Sequence, residues 1–229
     1  MLSQLFPKRM HVRSLTKCAI PIVTVQVGIN LMGTVDALMV GRLSAIDLAA
    51  VALGHLYFMT VSSFATGTLL ALDTVISQAV GSEDGDGVSL GIQKGLMLTL
   101  PLSVMTGSLL IPGEYLFFLL RQPTETIPLA SSYLSASIAG ILPLYVFLVL
   151  RQSLQCLGSF QPIVWAVVVG NVTNVFFNWI FVFGQLGFPE MGAVGAGWAT
   201  SLGRLVMACL VLGKGWFWLE PHFRSFKAM

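Results

Sequence analysis

Thirty-eight consecutive residues, from Gln152 to Pro189, contain no Asp, Glu, Lys or Arg. A water-soluble domain draws roughly a quarter of its residues from those four types. Here they make up 10% of 229 residues, beside 55% hydrophobic residues and a mean hydropathy of +0.84. So few charges cannot cover the surface of a soluble domain of this size. The chain therefore reads as an integral membrane protein.

A helical crossing needs about 20 apolar residues, and six stretches meet that requirement. The first is Cys18 to Gly41, the second Leu48 to Ser82, the third Gly95 to Gly113 and the fourth Thr126 to Leu150. The uncharged run from Gln152 is too long for one span, so SFQP (Ser159 to Pro162) is expected to start the fifth helix. Met191 to Gly213 is the sixth, interrupted by Arg204. The expected fold is an all-α, six-helix membrane bundle over residues 18–214. A cytoplasmic segment of residues 1–17 precedes it and a cytoplasmic tail of residues 215–229 follows.

Loop charge orients the spans, because cytoplasmic loops are enriched in Lys and Arg. With the N-terminus inside, Lys8, Arg9, Arg13, Lys17, Lys94, Arg151, Lys214, Arg224 and Lys227 fall on the cytoplasmic side, against Arg42 and Arg121 outside. Nine to two favours both ends being cytoplasmic. The net charge of +2 then reflects topology and gives no reason to expect nucleic-acid binding. The first apolar run is too long for a signal-peptide core and lacks a small-residue cleavage site, so it reads as a retained helix. Cys18, Cys156 and Cys209 lie in or beside spans without metal-ligand spacing, and GSEDGDG (Gly81 to Gly87) lacks the ligand spacing of a calcium loop.

Asp36 is the only charged residue between Cys18 and Gly41, and a carboxylate inside a bilayer is a functional candidate by default. At about 1.5 Å per residue it lies roughly 28 Å along a helix that enters near Lys17, in the outer half of the membrane. On the fifth helix Asn171, Asn174 and Asn178 recur at i, i+3 and i+7, one face of a helix. Asn174 and Asn178 lie roughly 18 and 24 Å in, and Thr200 roughly 12 Å below the outer surface on the sixth helix. One carboxyl, two amides and a hydroxyl thus reach similar depth on three helices. Such hard oxygen donors suit a proton or an alkali cation. The bland alternative is that the amides only hold helices together. Asp73 is expected near the cytoplasmic surface and His55 near the outer one. Arg204 near mid-depth must line a cavity, snorkel or pair with a carboxylate. Gly192, Ala196 and Thr200, and Gly91 with Gly95, read as small-residue packing stripes. The spans hold no nucleophile–base pair and the chain no P-loop, so transport outranks an enzymatic role and no cofactor is expected.

Four stretches carry a resemblance. They are VDALMVGRLSAIDLAAVALG (Val35 to Gly54), ALDTVISQAVGS (Ala71 to Ser82), LRQSLQCLGSFQP (Leu150 to Pro162) and GNVTNVFFNWIFVFGQLGFPEMGAVGAGWATSLGR (Gly170 to Arg204). In these the chain resembles the multidrug and toxin extrusion (MATE) family of cation-coupled drug antiporters. The resemblance implies two six-helix lobes around a central cavity, of which this chain matches the N-terminal one. It also implies a cation or proton site at Asp36, Asn174, Asn178 and Thr200, and a helix-bending role for Pro21. Asn178 stands where many members carry Asp, leaving one carboxylate. The implied function is export of organic, often cationic, drugs or toxins across a bacterial inner membrane in exchange for H+ or Na+. The chain stops just past the sixth span, so a truncated or split product, a homodimer, or a partner carrying the second lobe is expected. Two other readings are a lipid-linked-precursor flippase of the same superfamily, which calls for more cationic residues facing the cavity, and a non-transporting remnant.

Overall fold

The computed structural model describes the backbone of residues 9–224 and the side chains of residues 19–223. Among them eight helices follow in order: α1 (Arg9–Val40), α2 (Ala45–Gly81), α3 (Gly85–Leu110), α4 (Gly113–Leu119), α5 (Ile127–Ile138), α6 (Ile141–Cys156), α7 (Gln161–Phe183) and α8 (Gly192–Arg224). Five are long and apolar enough to cross a membrane, and α5 with α6, bent by 50° at their junction, make a sixth. The all-helical membrane bundle expected from the sequence is the observed architecture, with four boundaries moved.

The third span starts at Gly85, ten residues before Gly95. Only Ser82 to Asp84 lie outside helices between α2 and α3. Asp84 caps α3, its Oδ1 accepting from the Gly87 amide at 2.9 Å, and Asp86 sits in the first turn, where the positive end of the helix dipole favours a carboxylate. The acidic run is thus helix-start chemistry, and Lys94 is an exposed residue of α3 rather than of a loop. The sixth span continues to Arg224 instead of stopping near Gly213. Leu219 is fully buried, and Ser89 Oγ lies 3.1 Å from His222 Nδ1, tying the end of α8 to α3. At the other terminus, Arg9 to Lys17 form the start of α1. Residues 1–8 and 225–229 of the expected terminal segments lie outside the described residues.

The fourth span is broken. Pro143 in the first turn of α6 has no amide to offer the carbonyl of Ala139 and its ring crowds that turn, so a continuous helix is refused here. Gly140 sits at the break, where a Cβ would approach Ser201 Oγ to 2.8 Å and Ser201 Cα to 2.9 Å. The absence of a side chain lets α8 press into the bend. Without water, a carbonyl freed by a bend must find a partner in the protein, and Ser201 Oγ donates to Ala136 O at 2.8 Å. We expect Ser201→Ala to lower stability by about 1 kcal/mol, the usual worth of an interhelical hydrogen bond in a membrane. Thermal unfolding in detergent checks this, and an unchanged midpoint contradicts it.

Lipid tails are as apolar as leucine, so close packing and polar contacts, rather than exclusion of water, hold membrane helices together. The most extensive pair is α7 with α8. There Gly170 and Gly203 face each other, a Cβ on Gly203 meeting Gly170 O at 3.2 Å and the Asn174 Cβ at 3.3 Å. Further out, a Cβ on Gly195 would fall 2.7 Å from the Phe181 carbonyl carbon. α1 docks on α7 through Asn171, whose Nδ2 donates to Gly28 O at 2.9 Å. Ser44 caps α2 by accepting from the Asp47 amide at 2.9 Å, and Asp47 Oδ1 accepts from the Ala193 amide at 3.2 Å, pinning the start of α2 to the start of α8. The outward faces are apolar, with Trp165, Phe176, Trp179, Trp198 and Phe217 all exposed. The packing puts α1, α7 and α8 side by side.

Candidate functional site

Asp36 lies one turn from the end of α1 and is 1% exposed. Its Oδ1 accepts from Asn178 Nδ2 at 2.6 Å and from Asn174 Nδ2 at 3.0 Å, while Thr200 Oγ1 donates to Oδ2. Asn174 Nδ2 also donates to Thr200 Oγ1 at 3.1 Å. The Gly170–Gly203 contact lies one turn below Asn174 and Thr200, and brings α7 and α8 close enough for these short side chains to meet. The structure thus gathers into one cluster the four residues expected together from their depth. Asn171, on the same face, bonds backbone instead. It holds helices together, as the bland reading of the stripe supposed.

Every donor atom in the cluster has a partner, but two acceptors do not. Asn174 Oδ1 and Asn178 Oδ1 are buried without a hydrogen-bond partner among the described residues. Each such atom costs on the order of 1–3 kcal/mol unless something binds it. Amide and carboxyl oxygens are hard donors of the kind that suit a small cation, a hydronium or a proton-carrying water, although it is the Nδ2 atoms that face Asp36 here.

α1 runs without interruption through Pro21, which is partly exposed and well below the cluster. Asp73 is exposed on α2, where its Oδ1 accepts from Cys156 Sγ at 3.2 Å, away from the cluster.

On the far side of Thr200 a cavity of about 220 Å³ opens between α1, α2, α6 and α8. Met32, Met59, Met207 and Leu148 form apolar walls, and Gln26, Asn30 and His55 add polar groups. His55, expected at the outer interface, instead lines this cavity. It does so because Gly33 across from it has no side chain, and a Cβ there would sit 3.1 Å from the imidazole. Arg204 is resolved as a cavity residue, 8% exposed, with its guanidinium carbon 4.5 Å from the centroid of the Phe58 ring.

Arg151 is the residue that sequence reasoning misplaced. It ends an apolar run and by sequence falls on a cytoplasmic flank. α6 in fact continues to Cys156, leaving Arg151 8% exposed on the cavity wall, with its Nη1 donating to Gln26 Oε1 at 3.4 Å. The signal was present, since Leu144, Leu148 and Arg151 fall at i, i+4 and i+7 and share a helix face. Without Arg151 the expected inner-side excess of cations becomes eight to two.

The geometry matches known proteins. The MatE family model covers residues 21–180. A multidrug resistance protein MdtK from Pectobacterium atrosepticum is 36% identical over 87% of this chain and 44% of its own length. A probable multidrug resistance protein NorM from Halalkalibacterium halodurans is 32% identical over 80% of this chain and 40% of its own. Among solved structures, a MATE crystal structure in a bent conformation superposes with a TM-score of 0.82 at 25% identity, over 93% of this chain and 48% of that one. The chain therefore spans less than half the length of these relatives, and the family model takes in Asp36, Asn174 and Asn178 but ends before Thr200.

Proposed function

This chain belongs to the MatE family, and from that premise we propose that it forms one lobe of a secondary exporter, moving organic compounds outward in exchange for protons or sodium ions. The observation that carries the reading is the Asp36 cluster, a buried carboxyl held by three donors from two other helices with two amide oxygens left over. Thr200 both bonds Asp36 and lines the cavity, so cation occupancy at the cluster can change the cavity wall directly. Coupling requires that ion and substrate prefer different conformations, because a ligand with equal affinity for two states shifts neither. Pro21, which leaves the carbonyl one turn below it without an amide, is the proposed place where α1 bends.

A single lobe presents its cavity and polar α1 residues to lipid, which cannot satisfy them. Activity is therefore assigned to this lobe paired with a second one. The named relatives support small-molecule substrates and an integral membrane location.

The test is reconstitution of the 229-residue chain, alone and as an enforced dimer, into liposomes loaded with ethidium, rhodamine 123 or fluorescein, followed by an imposed proton or sodium gradient. Gradient-driven dye movement supports the reading, and its absence in every assembly rejects it. The proposed topology puts both ends in the cytoplasm. We expect Glu190→Cys, in a cysteine-free background, to react with an impermeant maleimide from outside. Protection there, together with labelling from inside, reverses the orientation.

A further inference from the structure

We propose that the cavity beside the cluster binds an anionic group, a carboxylate, sulfonate or phosphate carried on an apolar body, with Arg204 and Arg151 as its ligands. The proposal rests on the exporter reading and narrows its substrate class, away from the organic cations expected from the resemblance.

Two arginines line one cavity, each more than nine-tenths buried, and no carboxylate is among the lining residues. Among the described residues, Arg204 Nη1 and Arg151 Nε have no hydrogen-bond partner. A guanidinium carries five donors and keeps its charge in any protein environment, so an unpaired donor at this depth is costly. The protein supplies only partial compensation. Arg204 rests on the Phe58 ring, a cation–π contact that satisfies charge but no N–H. Arg151 has one long bond to Gln26.

The carboxylates within electrostatic reach are committed elsewhere. Asp36 is within electrostatic range of Arg204, but its two oxygens already accept from Asn174, Asn178 and Thr200. Asp73 is near Arg151 but bonds Cys156. What is missing from the cavity is an acceptor with negative charge, the group that guanidinium recognises in two-pronged fashion. The rest of the wall suits an apolar carrier, since Met32, Met59 and Met207 are unbranched and polarizable and adapt to varied shapes. The source of the anion can be a soluble amphiphile or a lipid headgroup, and the two share this chemistry.

The test compares two fused-ring dyes of similar size and opposite charge, fluorescein and rhodamine 123, by fluorescence anisotropy on the full chain in phosphatidylcholine nanodiscs. Fluorescein is expected to bind more tightly. Arg204→Gln and Arg151→Gln should each weaken it by at least about tenfold, the worth of one charge-assisted hydrogen bond, with rhodamine 123 binding not weakened and Arg204→Lys intermediate. Discs containing phosphatidylglycerol separate the sources. Loss of fluorescein binding there points to a headgroup, and retention points to a soluble amphiphile; both keep the anion site. The proposal is overturned if rhodamine 123 binds the wild type at least as tightly as fluorescein. It is overturned equally if neither dye binds, or if Arg204→Gln, with unchanged elution and melting, binds fluorescein like wild type. Binding needs no ion gradient, so Arg204-dependent fluorescein binding without driven efflux defeats only the exporter reading. Driven efflux of rhodamine 123 without fluorescein binding defeats only this proposal.

Discussion

Asp36→Asn is expected to abolish gradient-driven efflux, to the level of protein-free liposomes, in whichever assembly is active, while the protein inserts and elutes as wild type does. Asparagine keeps the planar shape of the carboxyl, and its oxygen can still accept from Asn174 and Asn178, which hold Oδ1 at 3.0 and 2.6 Å. Its amide would face Thr200 Oγ1, which now donates to Oδ2. The hydroxyl can rotate to accept instead, so the contact survives with its polarity reversed. What is lost is the group that can gain or lose a proton or draw a cation to the amide oxygens. The readout is dye movement under an imposed gradient, with insertion checked by elution profile. A variant that keeps the wild-type rate and pH dependence would show that the carboxyl is structural.

The largest effect on stability is expected at Asn174. It is fully buried and its Nδ2 donates to both Asp36 Oδ1 and Thr200 Oγ1. Leucine keeps the branching and the number of side-chain heavy atoms but is bulkier and has no donor. Asn174→Leu should therefore destabilise the chain by about 3 kcal/mol, from two lost hydrogen bonds of which one goes to a carboxyl group. A half-satisfied polar network is worse than none. The double variant Asn174→Leu with Asp36→Leu should accordingly recover much of the loss, although it cannot transport. Thermal unfolding of wild type, both single variants and the double variant gives the coupling between the two positions. Additive losses would mean that Asn174 and Asp36 do not act as one network.

The candidate cluster was legible because depth along a helix follows from residue count at a fixed rise. Asp36, Asn174, Asn178 and Thr200 could be placed at one level before any contact was known. The cavity was not legible in the same way. Arg151 looked like the end of a span because Lys and Arg usually mark membrane interfaces, and only the continuation of α6 to Cys156 turned it inward. Arg204 was recognisably out of place in an apolar run, but its three options differ only in what stands opposite, which here is Phe58 on α2. His55 was assigned by depth alone, and the missing side chain of Gly33 decided where its ring lies.

By itself the sequence determined the solvent, the helical class, the spans to within one and the shared level of Asp36, Asn174, Asn178 and Thr200. Those follow from composition and from periodicity along one chain, which are local quantities. The tertiary structure decided which faces meet. It set the 50° break of the fourth span, where Gly140 admits Ser201 and Pro143 withholds an amide. It also decided that two amides bind a carboxylate while a third binds backbone, and that two arginines share a cavity with no acid on its wall. The reason is physical. In lipid almost any apolar helix face is tolerated, so hydropathy records depth but not neighbours. The neighbours are chosen by close contacts between small residues and by the few polar groups that must find one another, and both depend on residues far apart in the chain.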